Sequence, residues 1–188
     1  MIALCLAIGL TACLLSFQLA LDRHFIRAGR MPRAAMALAI LSTAVYVSAL
    51  VRLWMAGAPS TAFSAAAAVV MLGSFLLFHA TRLGSPSRCL PVAFEDASPP
   101  RLVAEGPHRF IRHPFYTSYM LYWVAVALSA PYAVTVAGAA GIIVMYIVTA
   151  ALEEHRLLNS PLGSEYREYQ RRTGRFFPRP TALWKAMQ

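Results

Sequence analysis

Five apolar runs alternate with short polar segments along this chain. The runs cover about residues 2–21, 34–56, 62–80, 115–130 and 132–152. They are continuous rather than alternating, and most come close to the roughly 20 residues that a helix needs to cross a bilayer core. Each therefore predicts a helix. The fourth is the shortest, about 24 Å at 1.5 Å per residue. Ser129-Ala130-Pro131 breaks it from the fifth run so tightly that the two helices must be antiparallel neighbours. Pro32 suits the first turn of the second helix, and Pro114 that of the fourth. Small residues at 64–68, and Gly138 and Gly141 in the fifth run, permit close helix packing.

The polar segments differ in charge. Segments 22–33, 81–114 and 152–188 hold sixteen of the seventeen Lys and Arg residues; Arg52 is the exception. The turn at 57–61 and the junction at 129–131 hold none. By the positive-inside rule the basic segments face the cytoplasm. The expected fold is an all-α integral membrane protein with five transmembrane helices, its N-terminus outside and its C-terminus cytoplasmic. Four spans plus a re-entrant hairpin is the structural alternative. The tail is too polar to span. Residues 164–173 read as a cytoplasmic helix, with Tyr166 and Tyr169 on one face and Glu168 four residues before Arg172. Phe176, Phe177 and Trp184 would hold the tail to the interface. Residues 81–105 form the longest polar connection, broken by Gly84, Pro86, Pro91, Pro99 and Pro100.

Composition agrees with this picture. Of 188 residues, 59% are hydrophobic and 13% charged, more apolar surface than a soluble domain of this size hides. One membrane domain over residues 1–188 accounts for the length. The net charge of +9 belongs to the topology and to an anionic leaflet, not to nucleic acid, for which no motif is present. Cys5, Cys13 and Cys89 make an odd count with no C-x-x-C spacing, so no disulfide framework is indicated. The first run lacks a basic leader and has its charges after it, which reads as a retained helix in the inner (plasma) membrane.

Chemistry concentrates in two places. Residues 106–118 read Gly-Pro-His-Arg-Phe-Ile-Arg-His-Pro-Phe-Tyr-Thr-Ser, with Arg109, Arg112 and His113 crowded before an apolar run. Arginines so placed clamp a carboxylate or phosphate, or touch lipid headgroups. Glu153-Glu154-His155 ends the fifth run. Two glutamates at a helix C-terminus oppose the macrodipole and need cations. Those cations are either Arg112, Arg156 or Arg175 in an ion-pair network, or a cationic ligand. If the last two runs form a hairpin, both clusters emerge on one side. His108, His113 and His155 lack metal-site spacing, and no metal is expected.

Gly106-Pro107, Arg109, Arg112-His113-Pro114 and Tyr116 resemble the signature of isoprenylcysteine carboxyl methyltransferases and the related phospholipid N-methyltransferases. Glu153-Glu154, Leu157, Gly163, Tyr166, Tyr169, Arg175-Phe176 and Pro178 are similar to the second half of that signature. The resemblance covers roughly residues 103–180; the three spans within 1–80 carry none of it. The chain departs from the pattern at His108, where an aromatic is usual, and at Ser118, where a glycine is common.

The resemblance implies an integral membrane methyltransferase that uses S-adenosylmethionine and takes a lipidic or small amphipathic acceptor from the bilayer. It implies a cofactor site drawn from His108, Arg109, Arg112, His113, Tyr116, Glu153, Glu154, Tyr166 and Tyr169. Arg109, Arg112 or His113 would meet the cofactor carboxylate, a glutamate its amino group, and the tyrosines its adenine or sulfonium. Catalytic candidates are Arg112, Glu154 and His155, the last two as bases for a neutral acceptor. Two other readings stand beside it: an NADPH-dependent membrane reductase of the sterol-reductase type, whose motif is similar, and a non-catalytic membrane scaffold.

Overall fold

The computed structural model describes residues 1–26, 32–85, 90–91 and 101–179. The residues 27–31, 86–89, 92–100 and 180–188, with Arg27, Arg30, Glu95, Asp96, Pro99, Pro100 and Trp184, lie outside the described residues. Among the described residues six α-helices follow in order: α1 (Ile2–His24), α2 (Arg33–Ala56), α3 (Thr61–Gly84), α4 (Pro114–Ser129), α5 (Ala133–Leu158) and α6 (Gly163–Arg172). A 3-10 turn at Gly106–Arg109 precedes α4. Two-residue strands Phe25–Ile26 and Leu90–Pro91 pair in parallel beyond α1 and α3.

Among the described residues, four helices are long and apolar enough to cross a membrane: α1 over Ile2–Ala20, α2, α3 and α5. Their outer faces expose Leu19, Ile40, Trp54, Val69 and Val144. A molecule with that surface is an integral membrane protein. At 16 residues α4 is shorter than these four.

The expected helices are present, with instructive shifts. Pro32 is the N-cap of α2 and not its first helical residue. Pro114 opens α4 as anticipated. α3 and α5 both run past their apolar stretches, to Gly84 and Leu158. Hydropathy marks where lipid contact stops, while backbone hydrogen bonds carry the helix on as long as one face has a partner. That face exists in α5, where Glu154 and Leu157 are buried.

The bundle is assembled around α4. α3 packs along it, α1 leans on α3, and α2 and α5 close the other side. Phe17, Phe78, Tyr119 and Tyr122 form an aromatic knot, with the Phe17 and Phe78 rings 4.2 Å apart. Polar side chains stitch the core through backbone carbonyls. Ser74 donates to the Ser118 carbonyl at 2.7 Å, and Tyr122 to that of Leu10 at 3.2 Å. Such bonds suit a site where no water is available. Gly138 meets α2 closely, since a Cβ there would collide with a Val45 methyl; Gly141 shows only ordinary contact. At the polar end, Gly84 and Gly106 touch backbone to backbone, and Gly106 has φ +54°, a left-handed value that favours glycine. This contact seats the 3-10 turn against the end of α3.

Candidate active site

Backbone hydrogen bonds return the tail to the head of α4. Arg112 N–H donates to the Gly174 carbonyl at 2.8 Å, Gly174 N–H to Phe110 at 3.2 Å, and His113 N–H to Arg175 at 3.1 Å. Ile111 and Gly174 thereby form a parallel bridge. Gly174 suits the fold, because a Cβ there would collide with the Phe177 carbonyl. The Tyr169 hydroxyl, from the buried face of α6, donates to the His108 carbonyl at 2.6 Å. His108 in turn donates from Nδ1 to the Arg112 carbonyl at 3.3 Å. The two polar clusters, far apart in the chain, are thus one structure.

Glu154 is its centre. The side chain is 3% exposed, and both oxygens are engaged. Oε1 accepts from Arg112 Nε at 2.8 Å and His113 Nε2 at 3.2 Å. Oε2 accepts from Arg175 Nη2 at 2.6 Å and Nε at 3.1 Å, and from Gln170 Nε2 at 3.3 Å. Both Arg175 bonds converge on this one oxygen and are charge-assisted, the stronger kind of hydrogen bond. Arg112 has a second task. Its Nη1 donates to the Thr173 carbonyl at 2.5 Å and the Gln170 carbonyl at 3.4 Å, at the end of α6. A cation there meets the negative end of the helix dipole. One buried carboxylate therefore ties α5, α6, the tail and the head of α4 together.

Glu153 stands apart. Its side chain is 25% exposed, and its Oε2 accepts from the Tyr116 hydroxyl at 3.0 Å. His113 Nδ1 lies 3.9 Å from the same oxygen. The His113 ring stacks on Tyr116 at 5.3 Å and 2° between planes, and the Tyr146 ring lies 5.6 Å from Tyr116, tilted by 35°. These rings lie beside a partly exposed carboxylate, and aromatic faces are of the kind that attracts cations.

The predicted residues divide. His108, Arg112, His113, Tyr116, Glu153, Glu154, Tyr166 and Tyr169 come together. Arg109 is exposed, with its guanidinium 6.0 Å from the Phe110 ring. His155 is exposed and contacts Asn159 at 3.2 Å, one helical turn on. Gln170 is a member that the sequence reading did not single out, and Arg175 appeared there as a possible ion-pair partner and within the resembling motif Arg175-Phe176, not among the candidate site residues. The signal for both was the acidic pair itself, which required donors from somewhere.

Titration follows burial. Desolvation pushes the Tyr166 and Tyr169 hydroxyls far above the usual phenol range, so they remain hydrogen-bond donors. The hydrogen bonds to Glu154 hold the Arg175 guanidinium still more firmly protonated.

A family model described as phospholipid methyltransferase matches residues 61–164. That stretch takes in α3, α4, α5 and the first residues of α6, and leaves Gln170 and Arg175 beyond it. Methanethiol S-methyltransferase 1 of Bradyrhizobium diazoefficiens is 29% identical over 112 residues, which are 58% of this chain and 38% of that relative. The chain thus spans well under half of that relative's length.

Proposed function

The chain belongs to the phospholipid methyltransferase family, and on that premise we propose that it moves a methyl group from S-adenosylmethionine to a lipidic or small amphipathic acceptor at the cytoplasmic membrane face. The observation that carries the reading is the contrast between the adjacent glutamates. Glu154 is saturated by Arg112, His113, Gln170 and Arg175, whereas Glu153 is partly open beside the His113–Tyr116 stack. The donor set fits the cofactor. A carboxylate flanked by aromatic faces suits a sulfonium and its neighbouring amino group.

When bound, S-adenosylmethionine would supply an electrophilic methyl group on a positively charged sulfur. Glu153 and Tyr116 would hold the cationic region. His113 is oriented by its Nε2 bond to Glu154, which keeps its ring parallel to Tyr116. In this reading Arg112 and Glu154 act as positioning residues, since their hydrogen bonds are directed to each other and to α6. In this reading His155, exposed and turned to Asn159, takes no part as a base. The buried faces of α4 and α5 exclude water, so alignment supplies most of the effect. The methanethiol relative adds small thiols to lipids as acceptors to be tried.

For the membrane we read five crossings, with α4 as the short one enclosed by the others. The N-terminus is outside, and the active site faces the cytoplasm of the inner membrane. Residues 1–188 form one membrane domain: 1–80 supply three spans and 103–180 the cofactor region. The distribution of arginines supports this orientation.

The test is direct. Purified full-length protein in detergent is titrated with S-adenosylmethionine, its demethylated product and NADPH. The first two should bind, and Glu153→Gln should weaken both by about tenfold or more, roughly 1.4 kcal/mol, while unfolding at the same temperature. Binding of NADPH alone would mark a reductase, and binding of none a scaffold. Labelled methyl donor with membrane extract or with methanethiol then identifies the acceptor.

A further inference from the structure

α4 carries six hydroxyl side chains, and five of them are hydrogen-bonded. Tyr116 donates to Glu153, Thr117 to the His113 carbonyl, Ser118 to that of Phe115, Tyr122 to that of Leu10 and Ser129 to that of Ala125. Tyr119 is the sixth. Its hydroxyl is buried, and among the described residues it has no hydrogen-bond partner. A phenol oxygen shut away from water gives up its bond to solvent and here recovers none, so the arrangement costs stability. Where every other hydroxyl of a helix is paired, the exception points to a partner that the folded chain itself does not supply.

The surroundings of Tyr119 are aromatic. Its ring lies 5.5 Å from that of Tyr146 at 26° between planes, 5.5 Å from Phe17 and 5.8 Å from Phe78. Tyr146 also stands beside Tyr116, whose hydroxyl is bound to Glu153. Glu153, Tyr116, Tyr146 and Tyr119 therefore form a series that starts at the polar end of α5 and runs into the apolar bundle. Tyr119 is one turn along α4 from Tyr116, about 4.5 Å at 1.5 Å per residue. The residue as a whole is partly exposed, so a small rotation of the ring brings the hydroxyl to an occupant.

We propose that Tyr119 is the acceptor-binding residue of the site, its hydroxyl holding the heteroatom that is methylated. The inference rests on the methyl-transfer reading above. There Glu153 and Tyr116 take the cationic donor, which leaves the inner end of the series to the acceptor. One phenol oxygen both donates and accepts, so it serves a thiol, an amine or a hydroxyl alike. It offers nothing to an acceptor that reacts at a hydrocarbon carbon. The surrounding rings favour an apolar body over a charged one. The acceptor class is therefore an apolar molecule ending in sulfur, nitrogen or oxygen. Tyr119 orients that atom by one hydrogen bond and takes no proton from it.

The full chain in detergent is compared with Tyr119→Phe and Tyr122→Phe, each of which removes one hydroxyl from α4. Thermal unfolding, S-adenosylmethionine affinity and labelled methyl transfer are read for all three. The acceptor probes are methanethiol and a total lipid extract, each at graded concentration. Tyr122→Phe loses the bond to Leu10, so it should unfold at a lower temperature with unchanged acceptor dependence. Tyr119→Phe should unfold no lower than wild type. It should bind the donor within about twofold of wild type, while the acceptor concentration for half-maximal labelling rises about fivefold, the worth of one neutral hydrogen bond. Unfolding of Tyr119→Phe as early as Tyr122→Phe would reveal a structural partner and overturn the inference. So would an unchanged acceptor dependence, a product methylated on carbon, or labelling of neither probe by a wild type that binds the donor. A wild type that binds no donor removes the methyl-transfer reading, and this inference with it.

Discussion

α2 and α4 are both apolar helices, yet they are buried in opposite ways. α2 has 24 residues and buries four, Leu38, Val45, Ala49 and Leu53. These lie seven, four and four apart, a single stripe along one face. α4 has 16 residues and buries ten, on every side. Its buried set includes Thr117, Ser118, Tyr122 and Ser129, whose hydroxyls donate to the carbonyls of His113, Phe115, Leu10 and Ala125. A helix against lipid needs one packed stripe and can leave the rest to the acyl chains. A helix enclosed by protein can carry hydroxyls and rings, because each finds a carbonyl or another ring. The candidate site residues Arg112, His113, Tyr116, Glu153 and Glu154 lie at the head of that enclosed helix and at the end of its neighbour α5, where rigid surroundings hold side chains in place.

The contrast can be broken from its buried end. Glu154→Ala should have the largest effect, since it leaves Arg112, 8% exposed, without its carboxylate. Removing one partner of a buried ion pair costs about 3–5 kcal/mol, to be read as lost stability in thermal or denaturant unfolding in detergent. A loss below about 1 kcal/mol, typical of exposed pairs, would mean that the network is solvated. The interface between the two kinds of helix comes next. Gly138→Ala drives a methyl group into Val45. Overpacking of this kind costs about 1–3 kcal/mol, while an unchanged protein would show that α2 can drift away from α5. The smallest effect belongs to the lipid face. Ile40→Phe, at a side chain 66% exposed, should change stability by no more than about 0.5 kcal/mol. A larger loss would place another protein surface there in the membrane.

Much of this architecture was legible in the order of residues. Apolar runs marked the helices, and Pro114 marked the start of α4. The tail helix was expected at 164–173 and lies at Gly163–Arg172. The meeting of the two clusters was also anticipated, and Tyr169 reaches His108. The lengths of α3 and α5 were not legible, because hydropathy stops at Ala80 and Leu152 while the backbone continues. Nor was the division between Glu153 and Glu154. Adjacent helical residues point about 100° apart, so which one is buried depends on the rotation of α5 about its axis. Packing against α4 and α6 decides that rotation.

By itself, then, the order of residues determined which segments prefer lipid, where the helices begin, and which chemical groups gather at their polar ends. Those properties follow from local composition and from proline geometry. Only the tertiary structure decided that Glu154 is enclosed by four donors while Glu153 stays partly open, that Arg112 closes the end of α6, and that Arg179 returns to Arg171. Each of those depends on distances between residues remote in the chain, and such distances exist only once the helices have packed.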